Sequence, residues 1–383
     1  MQHDKFKALE DSMNLALVER EAMVRNALLA ILAGEHYLML GPPGSAKSML
    51  VSALCERITG ATKFEWLMGA DTTRDELFGP VDVVKWADHG IYERMNAYSV
   101  SSAHFVFLDE IYKGGMWILN TLLKVMNERR VYEPNTPKGS PVPLMSLFAA
   151  SNEIPEDAGL DAFDDRFLFR DLVSYIQDED ALVRMMLAGE DSPEPIIDLG
   201  DIAPAQQEAM ACKGPKVVFE AILEVRRELS RKDIVISDRR MRAVPKVLKA
   251  QAWMEGRQAI EVEDICALIP ILWRNPKEKG TVERIVYAHA APIAAEAIEA
   301  EDAASEIAAK APSEFSVGTA SEIENALQQL DHIYTSLEKR AGSHPRAELA
   351  LAKIGSMMGQ IASGYQKYLG SLGMNDRRKA GRS

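Results

Sequence analysis

The residues best placed to do chemistry form the run Gly41-Pro42-Pro43-Gly44-Ser45-Ala46-Lys47-Ser48, between the apolar stretch His36-Tyr37-Leu38-Met39-Leu40 and a helix-forming stretch that begins at Met49. A buried strand feeding a tight loop that opens a helix aims several backbone N–H groups and the positive end of a helix dipole at one small volume, which suits phosphate. In such a loop Lys47 reaches the terminal phosphates of a nucleotide and Ser48 holds Mg²⁺. The general pattern asks for glycine where Ala46 stands, so a left-handed backbone there costs roughly 1 kcal/mol.

A second set stands further along. The apolar run His104-Phe105-Val106-Phe107-Leu108 ends in Asp109-Glu110. In an open α/β sheet ligands bind at the carboxyl ends of strands, so these acids face the same rim as the phosphate loop. Asp109 would take Mg²⁺ through water, and Glu110 would orient and polarise an attacking water. Asn152 follows another buried strand, 144–150, where its amide could position water against a terminal phosphate. The alternative for Asn152 is a turn or helix cap. Arg166, in Asp164-Asp165-Arg166-Phe167, reads in isolation as a salt-bridged surface arginine. Ser237-Asp238 caps a helix that begins at Arg239-Arg240, and a cation in a first turn is unfavourable to the dipole unless an anion lies nearby.

The elements that must position these groups follow from periodicity. Helical spacing runs over 13–33, with Gly34 placed to stop it; Val18-Glu19-Arg20 either lines a base pocket or simply starts the helix. Helix 48–58, strand 63–67 and a short polar helix 71–78 come next. Residues 81–94 alternate as a hairpin, either a packed ribbon or an exposed working loop. Helix 116–128 precedes a second hairpin over 129–143, with Asn135, Pro137 and Gly139 in its turn, and 168–173 is the last strand. Beyond an acidic, proline-bearing stretch the chain is helical: 217–229, 239–254 and 262–273, then a break at 276–280. An alanine-rich run over 282–309 is interrupted by Pro292, and two heptad seams contain Leu330, Leu337 and Ile354. The expected organisation is an α/β nucleotide-binding domain with a parallel sheet over 1–190, a linker over 191–204 and an all-α lid over 205–275. A helical bundle over 281–374 and a disordered basic tail over 375–383 complete it.

Composition limits the alternatives. With 383 residues there is material for two or three domains. A net charge of −13 opposes general attraction to nucleic acid, because that depends on Lys and Arg neutralising phosphate. Cys55, Cys212 and Cys266 are widely spaced, so they read as reduced core thiols and not as a disulfide framework or zinc site. No apolar run approaches the ~18 residues of a membrane span, and the N-terminus is too polar for a secretory signal, so the expected location is cytoplasmic.

Taken together, the phosphate loop, Asp109-Glu110, Asn152, Asp165-Arg166-Phe167 and Ser237-Asp238-Arg239 resemble the ordered motifs of AAA+ ATPases, and most closely the MoxR family. The phrases LMLGPPGSAKS, ELFGP, FVFLDEIYK, ILNTLL, NERR, AASNEIPE and SDRR look like its RavA type. The resemblance implies ATP and Mg²⁺ as ligands, with Gly41, Pro42, Pro43, Gly44, Ser45, Ala46, Lys47 and Ser48 forming the Walker A loop and Asp109-Glu110 the Walker B pair. It implies that Asn152 is sensor 1, that Arg166 is an arginine finger acting on a neighbouring subunit, and that Arg239 is sensor 2, with Arg240 the second candidate. The 81–94 and 129–143 hairpins match the helix 2 and presensor 1 inserts of that clade. A ring hexamer is implied, working beside a protein with a von Willebrand factor A domain as a remodelling or metal-insertion chaperone for a client. Two features depart from the type. Ala46 replaces the usual glycine, as it does in RavA-type proteins, and the C-terminal region reads as all helix where RavA-type proteins also carry a β-rich domain. A nucleotide-gated scaffold with little mechanical activity is the competing expectation, and the retained Glu110 and Arg166 argue against it.

Overall fold

The computed structural model describes residues 2–134, 136, 138–153, 158–187, 193–312, 319–341 and 344–380. The chain divides into two compact units, 1–282 and 283–383. Among the described residues the first contains the strands β1 (His36–Leu40), β2 (Ile58–Thr59), β3 (Lys63–Leu67), β4 (Phe105–Asp109), β5 (Arg130–Val131), β6 (Ser140–Pro141), β7 (Ser146–Ser151), β8 (Phe167–Leu172) and β9 (Ile197–Asp198). Five of them form one sheet in the order β3-β4-β7-β1-β8, with every neighbouring pair parallel. Every residue of β1 and β7 is buried, as expected of central strands covered on both faces, which is why they read as unbroken apolar runs.

Helices α1 (Gln2–Ala16) and α2 (Glu21–Ala33) precede the sheet, and α3 (Lys47–Glu56) follows β1. Gly34 ends α2 in the left-handed region (φ 69°), its N–H donating to the carbonyls of Ala30 and Ile31. The single helix expected over 13–33 is therefore two. The chain breaks at Leu17-Val18-Glu19-Arg20, where Glu19 has φ 56° and Arg20 is buried. Between β3 and β4 lie α4 (Arg74–Phe78), opened by a Thr73/Glu76 capping box, and α5 (Val83–His89).

The hairpin expected over 81–94 is corrected by α5. Asp82 accepts from the Lys85 N–H at 3.0 Å and Gly90 closes the helix at φ 65°, leaving one antiparallel bridge, Val81 to Arg94. An Asp N-cap and a Gly C-cap at this spacing were the stronger signal. The second hairpin forms as β5 against β6, in antiparallel register; Asn135 and Pro137 of its turn lie outside the described residues. It follows α6 (Met116–Glu128), which buries Ile118, Leu119, Leu122, Val125 and Met126 on one face. The short α7 (Asp161–Asp164) leads into β8 and α8 (Glu179–Leu187) follows it.

The expected linker is shorter than 191–204. β9 pairs in parallel with β2, and α9 (Leu199–Met210) starts directly after it behind an Asp198/Asp201 capping box. α10 (Lys216–Ser230) and α11 (Asp238–Met254) match the expected helices, whereas 262–273 divides into a 3-10 stretch, Val262–Leu268, and α12 (Ile269–Leu272). The expected break at 276–280 is one 3-10 turn, Pro276–Glu278, capped by Asn275, that runs into α13 (Lys279–Ala290).

The second unit contains α14 (Pro292–Lys310), α15 (Ala320–Ala341) and α16 (Pro345–Ala380). Its core joins Ala297, Ala304, Leu330, Leu337, Ala347, Ala350 and Ile354, so small residues let the helices approach where the heptad leucines interlock. Helix α16 extends through Arg377-Arg378-Lys379, which corrects the expected disordered tail; Arg382 lies outside the described residues.

Candidate functional site

The loop after β1 is held by its backbone on both sides. The Gly41 N–H donates to the Ser151 carbonyl at 3.0 Å, and a Cβ on Gly41 would stand 2.1 Å from the Val173 carbonyl oxygen, so only glycine fits. Gly44 has φ 75° and Ala46 has φ 67°, with α3 beginning at the next residue. The strain expected at Ala46 is therefore present, and the first N–H groups of α3 point outward with no intrahelical partner. Ala46→Gly is expected to stabilise the first unit by about 0.5–1 kcal/mol. Relief of a left-handed alanine contributes about 1–2 kcal/mol, less about 0.5–1 kcal/mol for the freer unfolded chain. Denaturant unfolding measures this, and a destabilised variant would contradict it.

Lys47 is buried, and its Nζ donates at 2.7 Å to the carbonyls of both Gly41 and Pro42. Burial lowers its pKa, opposed by the nearby charges of Asp109 and Glu110. Lys47 thus caps its own loop within the influence of two carboxylates. The cavity in front of it holds about 390 Å³ and is lined by residues 43–49, Asp109, and Ala16, Leu17, Val18 and Arg20 from the α1/α2 break. Val18 lines this cavity at the break between the two helices.

Arg20, from the same 18–20 stretch, also lines the cavity, whereas Tyr175, Leu182 and Met185 carried no signal in the sequence. Arg20 is buried and ties three segments together through the carbonyls of Ser45 (3.4 Å), Glu19 (2.7 Å) and Ser174 (2.7 Å). Tyr175 donates to the Pro43 carbonyl at 3.2 Å, and Leu182 and Met185 of α8 close the apolar side. All of them come together only through tertiary contacts.

At the end of β4, Asp109 Oδ1 accepts from the Glu110 N–H at 2.9 Å, and Glu110 itself sits at φ 51°, ψ 44°. A left-handed glutamate is a strained conformation of the kind that collects at working sites. Its Oε1 accepts from Asn152 Nδ2 at 2.7 Å, which joins the ends of β4 and β7. Lys113 lies 3.5 Å from the other carboxylate oxygen. Among the described residues no three His, Cys, Asp or Glu side chains converge into a metal cage. The donors that are present, the Ser48 hydroxyl and Asp109 beside the phosphate loop, fit Mg²⁺, which is held by one or two protein groups together with substrate phosphates.

Arg166 and Arg239 do not line the pocket. The turn that carries Arg166 is anchored by Asp164, whose carboxylate accepts from Arg170 at 2.8 and 3.0 Å, from Arg274 Nε at 3.0 Å and from the Tyr112 hydroxyl. Burial pushes Asp164 up, but Arg170, Tyr112 and Arg274 outweigh it and hold it below the ordinary carboxylate value. Arg166 Nε is buried and finds no acceptor among the described residues. Burial lowers the Arg166 pKa, as does the positive charge of Arg239, against the attraction of Asp165 and Glu35. Arg240 is buried and donates to the carbonyls of Leu168, Ile271 and Phe167 at 2.7–3.1 Å, with burial lowering its pKa to about 10. Arg239 is the exposed member of the pair and Arg240 the enclosed one.

A family model described as the MoxR domain in MoxR-vWA-beta-propeller ternary systems matches residues 4–208, and one described as an AAA lid domain matches 217–286. An uncharacterized protein of Methanocaldococcus jannaschii is 36% identical over 74% of each chain. Chaperone MoxR1 of Mycobacterium tuberculosis is 26% identical over 50% of each chain. The solved structure of an ATPase candidate from Cytophaga hutchinsonii shares the fold, with a TM-score of 0.61 at 20% identity, covering 75% of this chain and 94% of that one. No described helix is long and apolar enough to cross a membrane. With the MoxR-domain match over more than half of its length and the lid match after it, the chain belongs to the MoxR family of AAA+ ATPases and is an ATP-hydrolysing enzyme.

Proposed function

We propose that the chain hydrolyses Mg²⁺-ATP at the β1/β4/β7 rim, in a ring hexamer, to remodel a client protein or insert a metal or cofactor into it. The observation that carries the reading is the Asn152–Glu110 hydrogen bond at the strand ends beside the Asp109 that lines the pocket. It gives one carboxylate a fixed orientation for water next to a phosphate-binding loop. Lys47 and the N–H groups of α3 bind the phosphates, and Ser48 and Asp109 hold Mg²⁺, which when bound neutralises charge on the phosphate oxygens. The residues around Val18 take the base. Lys47, Arg239 and a neighbour's Arg166 meet the charge that grows in the transition state.

Arg166 stands outside the cavity of its own chain, which supports its acting on a neighbour's site. The family description names vWA and beta-propeller companions, and from it we infer a von Willebrand factor A protein as partner. Likeness to the RavA type is proposed for the nucleotide core alone, because the described part of the C-terminal unit is helical throughout. Lys47→Ala tests the site. With neutral N–H groups left to hold the phosphates, ATP affinity is expected to fall about 10- to 100-fold, the worth of a charge-assisted contact. Unchanged ATP binding in equilibrium titration would remove the phosphate loop from the proposal.

A further inference from the structure

The carboxylate of Asp165 is where the N-terminus of α11 meets the core. Oδ1 accepts from Arg240 Nε at 3.1 Å, Oδ2 accepts from Arg239 Nη1 at 2.9 Å, and the Ser237 hydroxyl donates to both at 3.2 and 3.3 Å. The two arginines are held differently. Arg240 keeps three main-chain carbonyls whatever Asp165 does. Arg239 has a side chain 46% exposed, and among the described residues Asp165 is the acceptor that holds it. One carboxylate therefore makes a permanent contact with one oxygen and an exchangeable one with the other. An ion pair of that exposure is weak, and a polyphosphate competes for the guanidinium with more charge and with bidentate geometry.

We propose that Asp165 is a positioning residue that parks Arg239 away from the phosphate pocket, so that nucleotide must displace Asp165 from Arg239 to bring α11 onto the site. The proposal rests on the reading that Arg239 answers phosphate. Asp165 is adjacent to Arg166, so its release changes the charge beside that arginine as well. The turn itself stays in place, because Asp164 and Arg170 hold it independently.

The experiment uses the full chain with Mg²⁺-ATP, measuring ATP dissociation constant and thermal midpoint for Asp165→Asn, Asp165→Glu, Arg239→Ala and the Asp165→Asn/Arg239→Ala pair. Asn keeps an oxygen for Arg240 and Ser237 but removes the charge. The expected result is ATP binding tighter by about three- to fivefold, the scale of an exposed ion pair, in a chain that still folds at a lowered midpoint, because Asn also takes the carboxylate from buried Arg240. Asp165→Glu should bind ATP like the original chain. In the double variant the gain should vanish, leaving the affinity of Arg239→Ala alone. Unchanged or weakened binding in Asp165→Asn, a gain that persists without Arg239, or failure of Asp165→Asn to fold would each overturn the proposal in favour of a structural role. If Arg239→Ala itself binds and hydrolyses ATP normally, the underlying assignment of Arg239 has failed, an outcome distinct from failure of the latch.

Discussion

Glu110→Gln is expected to lower the hydrolysis rate about 10²- to 10⁴-fold while ATP affinity changes by no more than about twofold. The range is that of a positioned general base. The substitution is isosteric, and Gln can occupy the left-handed backbone of Glu110 at the same cost. Its amide oxygen can still accept from Asn152 Nδ2, which now lies 2.7 Å from Glu110 Oε1. What disappears is the negative charge that polarises water, together with a 3.5 Å ion pair to an exposed Lys113. Lys47, Ser48 and Asp109 are untouched, so ground-state binding persists. Single-turnover hydrolysis and equilibrium binding on the same preparation separate the two effects. Equal loss in both would mean that Glu110 holds the loop and does not prepare the water. Near-normal turnover would remove it from the chemistry.

The nucleotide half of this protein was legible because its parts are local. A strand, a glycine-bearing loop and a helix are contiguous, so 41–48 announces its geometry, down to the left-handed Ala46. The apolar β4 and β7 announce their ends, and those ends are where parallel sheets present ligand groups. What failed was local competition between patterns. Residues 81–86 alternate well enough to suggest the first strand of a hairpin, but no residue of α5 is buried, so the Asp82 and Gly90 caps decide its form. The α1/α2 break has no Gly or Pro to mark it; buried Arg20 tethered to Ser45 and Ser174 fixes it from outside the segment. Which of Arg239 and Arg240 is enclosed was likewise not legible, because adjacent residues on a first turn look alike until one of them is surrounded by carbonyls.

Arg166→Ala is expected to reduce hydrolysis about 10³-fold or more, at the lower end of what an arginine finger contributes, with ATP binding to the isolated subunit nearly unchanged. Arg166 lies off the cavity that would hold the nucleotide of its own chain, so its loss removes nothing from that site. The turn is anchored by Asp164 and Arg170, so the variant should fold: the anchoring contacts run through Asp164 and not through Arg166. Mixing supplies the decisive measurement. Lys47→Ala subunits lack phosphate binding but retain the finger, and Arg166→Ala subunits have the reverse defect. An interface between the two kinds is intact whenever the Arg166→Ala subunit binds ATP and the Lys47→Ala neighbour presents its arginine. Co-assembled mixtures should therefore recover activity that neither preparation has alone. If co-assembly is verified by sedimentation and no activity returns, Arg166 is acting within its own subunit, and the inference of a shared site between subunits falls with it.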